Sequence, residues 1–164
     1  MKATFMLAAM LLVYNGCSNH QDSQLTQQQK DQIKNEIKAV GDSVLTRWQR
    51  LDVEGALKCY SPEMFAVGDS GIVDYQRYKT LWLTMPNAIG AVKWTTLQSQ
   101  FVVLTKDDAM SAISGKLEMT TKSGLNLVVN PKLFTNLYKK VGDSWLITFE
   151  HGSGVMALQN PGNK

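Results

Sequence analysis

His151, Asp69 and two cysteines are the side chains of this chain whose type and setting could carry chemistry. His151 closes the segment Trp145-Leu146-Ile147-Thr148-Phe149-Glu150-His151. Strict alternation along a strand would put Trp145, Ile147, Phe149 and His151 on one face, with Leu146, Thr148 and Glu150 on the other. The first set is apolar and should face the core, so His151 becomes the polar end of an apolar row. An imidazole titrates near neutrality. Placed there, it could act as general acid or base, or bond to one backbone or tyrosine partner. Asp69, in Gly68-Asp69-Ser70-Gly71 after the strand-like Met64-Phe65-Ala66-Val67, is the second candidate base, or else a turn residue.

That tetrapeptide looks like a serine-hydrolase nucleophile segment, as do Gly41-Asp42-Ser43 and Gly142-Asp143-Ser144. The first follows a four-residue strand, the second lies in a helix and the third in a hairpin. None has the strand-turn-helix setting that exposes a nucleophile. Cys59 sits on a short helix with Leu57 and Tyr60, in the manner of a small buried hydrophobe. With one histidine and one cysteine in the domain and no convergent carboxylates, the sequence points to no metal and no cofactor.

The elements that must position these residues follow from periodicity. Thr26 and Gln29 have capping-box spacing, and Ile33, Ile37, Val40, Val44, Trp48 and Leu51 then recur every three or four residues as one long amphipathic helix. Gly41 weakens that helix and could mark a bend. Asp52 caps a short helix stopped by Pro62. Asp74 caps a third, with an aromatic stripe of Tyr75, Tyr78 and Trp82, ended by Pro86. From Lys93 the period becomes two. Strands are expected over Lys93 to Leu104, Ala109 to Thr120, Leu133 to Lys139 and Trp145 to His151, as a meander. Helices followed by an antiparallel sheet make an α+β domain.

Composition bounds the rest. The chain has 164 residues, 44% of them hydrophobic and 19% charged, which suits one domain with one core. The net charge of +3 is spread along the chain, and the densest basic pair inside the domain is Lys139-Lys140, so no nucleic-acid stripe is present. Met1-Lys2, the apolar run from Ala3 to Tyr14, and Asn15-Gly16-Cys17 have the layout of a secretory signal. The run is too short to span a bilayer, which takes about twenty residues. The small residue before Cys17 and the polar stretch after it resemble a bacterial lipobox, although Tyr14 stands where an aliphatic is usual. The expected organisation is a signal peptide over 1–16, a polar tether over 17–25 starting at lipidated Cys17, a domain over 26–156 and a disordered tail over 157–164.

The order of elements and the residues themselves resemble the nuclear transport factor 2-like superfamily in its SnoaL-like branch, over roughly Ile33 to Gly154. The carriers are Trp48, the segment Leu51 to Glu63, and the closing Trp145 to Ser153. The resemblance implies N-terminal helices packed on a curved antiparallel sheet, forming a cone whose open end often holds a small apolar ligand, and pairing through the outer sheet face. On that face Leu146 and Thr148, with Val102 and Leu104, would make a homodimer surface. Lining up the pattern of the resembling ketosteroid isomerases puts Gly68 at the general-base position and Val44 and Phe134 where their hydrogen-bond donors stand, which disfavours that mechanism.

The expected ligand pocket is Trp48, Tyr60, Tyr78, Trp82 and His151. The leading expectation is an exported, membrane-anchored domain that binds a small hydrophobic ligand or a protein partner. The alternative is a cofactor-free lyase, isomerase or hydrolase using His151, with Asp69. Fold does not choose between them.

Overall fold

The computed structural model describes residues 25–68 and 71–159. The signal segment, Cys17, nearly all of the tether, Asp69, Ser70 and the last five residues lie outside them.

Helix α1 runs over Gln27–Gln49. Thr26 Oγ1 accepts from the Gln29 amide and Gln29 Oε1 accepts from the Thr26 amide, so two of the helix's unpaired donors are satisfied at the cap. Its buried positions are Ile33, Ile37, Gly41, Val44 and Trp48, one stripe at helical spacing. The helix continues through Gly41. A Cβ there would lie 3.4 Å from the Tyr138 hydroxyl and 3.9 Å from Ile113 Cδ1, ordinary contact distances, so this turn of the helix packs directly on the sheet. Leu51, at φ 57°, turns the chain out of the helix. Asp52 then caps α2 (Val53–Leu57), accepting from the Gly55 amide and pairing with Arg47 at 2.9 Å.

Strands β1 (Tyr60–Gly68) and β2 (Gly71–Asp74) form a hairpin, and Asp74 caps α3 (Tyr75–Ala88). This helix extends past the expected stop, because Pro86 falls in its last turn, where a missing N–H removes only one bond. Strands β3 (Ile89–Val103), β4 (Asp108–Thr121), β5 (Asn126–Val141) and β6 (Ser144–Gln159) follow as the meander. The sheet is curved and unclosed, with six strands in the order β2-β1-β6-β5-β4-β3.

Three features depart from the sequence expectation. The sheet is mixed rather than purely antiparallel, because β1 pairs parallel with β6. Such a pairing joins segments about ninety residues apart, and no local pattern encodes it. Strand β5 begins at Asn126 rather than Leu133. A register shift between Val129 and Lys132 absorbs Asn130-Pro131, so the strand runs on through the proline. Strand β6 continues to Gln159, with Leu158 opposite Leu127 and Gln159 opposite Asn126, so residues 157–159 belong to the sheet and not to a tail.

Two clusters fill the space between helices and sheet. One gathers Ile37, Val44, Leu57, Met64, Ala109, Tyr138 and Ile147, and the other Trp48, Ile89, Trp94, Ile113, Leu117 and Val129. Ile37 and Ile147 are essentially inaccessible, and full burial of such a side chain stabilises by about 1.5–3 kcal/mol. Trp82 and Met85 of α3 pack against both clusters. Trp145 ties β6 back to α1, its Nε1 donating to Glu36 Oε2 at 2.7 Å.

Candidate functional site

The inner face of β6 changes its sequence register at one residue. Leu137 of β5 pairs with Phe149, but Tyr138 pairs with Ile147, so Thr148 is an extra residue, a β-bulge. A one-residue slip exchanges the two faces of a strand. Trp145 and Ile147 before the bulge are buried, and after it the buried residue is Glu150. Glu150 faces inward opposite Ala66 of β1 and Asn136 of β5. His151, opposite Val67 and Thr135, is carried to the outer face. The alternation that assigned His151 to the core and Glu150 to the outside is therefore reversed by the bulge.

Around Glu150 the fold assembles a buried polar group. Tyr60 donates to Oε2 at 2.7 Å and Tyr78 to Oε1 at 2.8 Å. The two hydroxyls are 3.2 Å apart, but Tyr78 has a single proton, and the shorter contact to the carboxylate is the stronger use of it. Burial pushes the Glu150 carboxyl above its usual range; the two tyrosine donors and the charge of Lys132 act against this without cancelling it. Burial, followed by the neighbouring Glu150 charge, pushes both tyrosine hydroxyls well up, so they remain donors. In the same row of the sheet as Glu150, Asn136 Nδ2 donates to the Tyr138 hydroxyl at 3.4 Å, and Ser111 Oγ lies 3.1 Å from that hydroxyl, joined to it by one hydrogen bond.

Above Glu150 lies a cavity of ≈ 380 Å³, within the range of small-molecule sites. Trp48 of α1, Tyr78, Trp82 and Met85 of α3, Val73 of β2, and Leu117, Val129 and Phe134 of the sheet make its walls. Lys132 and Gly152 also line it, with Lys132 Nζ 4.9 Å from the centre of the Phe134 ring. The aromatics form a contiguous chain, Trp48 to Trp82 to Tyr78 to Tyr60, with ring centres 5.2–5.3 Å apart. A second, much smaller space of ≈ 20 Å³ adjoins it and shares Trp48, Trp82, Phe134 and Glu150 with it; Tyr60 lines only this smaller space.

Of the residues expected at the pocket, Trp48, Tyr78 and Trp82 line the large cavity, Tyr60 reaches its floor through Glu150, and His151 lines neither space. Asp69 and the lipidation residue Cys17 lie outside the described residues. Cys59, the one cysteine among the described residues, is half-buried, and burial pushes its thiol up, against the opposing Ser43 and Arg47. Among the described residues, no three His, Cys, Asp or Glu side chains converge on a point that could hold a metal ion, and no helix is long and apolar enough to cross a membrane.

Sequence reasoning missed Glu150, Asn136 and Ser111. A signal was available for Ser111, between Ala109 and Ile113, and for Asn136, between Phe134 and Tyr138, as polar residues within apolar rows of period two; Glu150 gave none, because the bulge moves it to the other face of its strand.

No protein-family description matches the chain, and no curated protein matches it in sequence. Solved structures do match in shape. A scytalone dehydratase-like protein from Novosphingobium aromaticivorans DSM 12444 superposes with a TM-score of 0.73 at 8% identity, covering 85% of this chain and 99% of that one. A type 2 hexachlorocyclohexane dehydrochlorinase gives 0.72 at 7% identity, covering 83% and 95%. A nuclear transport factor 2-like protein of unknown function from Pseudomonas putida KT2440 gives 0.63 at 16% identity, covering 75% and 87%. Enzymes and proteins without a known activity thus share this architecture, and at such identities the likeness speaks to the fold alone. Helices packed inside a curved six-stranded mixed sheet, in this order and with this closeness of superposition, give the chain the nuclear transport factor 2-like cone fold.

Proposed function

We propose that this protein is an exported, lipid-anchored domain that binds a small hydrophobic molecule in its cone. The observation that carries the reading is the ≈ 380 Å³ cavity, mostly apolar and aromatic in its walls, with a single buried carboxyl held by two tyrosines at its floor. An apolar body gains by leaving water for those walls. The polar floor fixes its orientation. Titration calorimetry with 2-naphthol tests the reading: one saturable site is expected. Val73→Trp, which places an indole in the cavity from the edge hairpin, should weaken binding at least tenfold while leaving the thermal midpoint within a few degrees. Equal binding by wild type and variant would contradict it.

A second reading, acid–base catalysis without a cofactor, is favoured by the raised proton affinity of Glu150 in a cavity, a combination often found at catalytic sites. The role first assigned to His151 passes to Glu150 in that case, since His151 faces away. Turnover of a bound substrate that Glu150→Gln abolishes while leaving affinity intact would select this reading.

The anchor and the association state are part of the proposal. Cys17→Ser should release the protein from the membrane fraction, and unchanged membrane association would reject lipidation. On the outer sheet face, Phe65, Phe149, Leu137, Met110 and Val102 lie directly opposite one another across five strands, with Phe65 and Val102 both more than 40% exposed. This stripe replaces the expected surface, because the bulge at Thr148 disrupts the Leu146–Thr148 row. A second copy of the chain is the proposed occupant, and a monomer by light scattering at tens of micromolar would reject it.

A further inference from the structure

Among the described residues, two buried side-chain polar atoms have no hydrogen-bond partner: the Trp48 indole Nε1 and the Asn136 carbonyl Oδ1. Both residues are more than nine-tenths buried, and an unmet donor or acceptor in such a place costs about 1–3 kcal/mol. Both residues line the same ≈ 20 Å³ space beside Glu150. That volume holds about one water-sized group. Of the remaining walls, Val44, Leu45, Ile113 and Ile147 are apolar, and the polar ones are Glu150 and the Tyr60 that donates to it.

We infer that this space is a niche for a single ligand hydroxyl, and that the protein selects alcohols or phenols over ketones, ethers and hydrocarbons of the same outline. The inference rests on the reading of the large cavity as a ligand site. The chemistry follows from the inventory of groups. Trp48 Nε1 can only donate, whereas Asn136 Oδ1 can only accept, and the Glu150 oxygens accept as well. A group meeting both needs must accept one hydrogen bond and donate another within the space of one heavy atom. A hydroxyl does this. A carbonyl or ether oxygen accepts from Trp48 but leaves Asn136 unmet, and a methyl group meets neither. Trp48, Trp82, Phe134 and Glu150 border both spaces, so an apolar body in the large cavity can direct its hydroxyl into the niche.

The test uses the full-length protein and two probes, 2-naphthol and 2-methylnaphthalene, which share a ring system and an outline, but only the first can accept from Trp48 and donate to Asn136. Wild type is expected to bind 2-naphthol about tenfold more tightly, the size of two net hydrogen bonds at the lower end of their range. Trp48→Phe removes the donor while keeping an aromatic wall, and Asn136→Leu removes the acceptor. Each should bring the ratio of the two affinities below about threefold. Trp48→Phe breaks no bond within the protein, so it reports even if Asn136→Leu fails to fold. Saturable binding of both probes with equal affinity in wild type would overturn the niche and leave the cavity reading standing. A preference that survives Trp48→Phe unchanged would also overturn it. Binding of neither probe would remove both readings together.

Discussion

Trp48→Ala is expected to cost the domain about 4 kcal/mol and to abolish ligand binding in the same step, the upper part of the range for emptying a large aromatic site. Trp48 is the last buried residue of α1, packs in the second core cluster, and stacks on Trp82 with ring centres 5.3 Å apart. Without it, Trp82 loses its backing, and Trp82 is the link to Tyr78 and so to the floor of the cavity. The unpartnered Nε1 does not offset the loss, since removing one unmet donor regains less than the packing of a whole indole forfeits. Urea unfolding and 2-naphthol titration measure the two effects. A loss below about 1 kcal/mol would show that the α1–α3 contact does not hold the cavity together.

At Glu150 the expected effects depend on pH, and the sign follows from the burial of the group. Burial holds its carboxyl above the usual range, so the folded protein binds this proton more tightly than the unfolded chain does. The stability it contributes is complete below the unfolded value of about 4.3 and is lost as pH rises through the folded value. Glu150→Gln removes that dependence and keeps an acceptor and a donor for the two tyrosines. Its stability relative to wild type should therefore increase from pH 4 to pH 8, by an amount on the order of 1 kcal/mol. Glu150→Ala should be less stable than Glu150→Gln at every pH, by about 2–4 kcal/mol, because the Tyr60 and Tyr78 hydroxyls lose their common acceptor. A Glu150→Gln curve parallel to wild type would mean that the carboxyl is not desolvated in the folded state.

Local rules read correctly where only local physics decides. Thr26 and Gln29 gave the start of α1, and the spacing of Ile33, Ile37, Val44 and Trp48 gave its buried stripe. Asp52 and Asp74 gave the caps of the shorter helices. Period-two alternation gave the β3–β6 meander. The hairpin strand β2 escaped because Gly71–Asp74 is four residues long and sits between turn residues. The candidate site was half legible. Trp48, Tyr78 and Trp82 line the cavity because they belong to helical stripes, whose period no bulge interrupts. Glu150 was illegible, since nothing in Ile147-Thr148-Phe149 announces that one residue is skipped. Once the bulge is present, Phe149 and His151 turn outward and a charged residue is buried in their place, at a cost that two tyrosine hydroxyls and a cation reduce.

The central claim, that a small hydrophobic molecule occupies the cone above Glu150, is tested most directly by methyl NMR of protein labelled at its methionines. Met85, Met119 and Met156 line the cavity, whereas Met110 lies on the outer face of the sheet, between Val102 and Leu137. Titration with 2-naphthol is predicted to shift the Met85 and Met119 methyl signals along saturation curves with one common affinity, through the ring current of the bound probe, and to leave Met110 unmoved. Shifts confined to Met110, or no saturable shift at Met85 and Met119, would contradict the account.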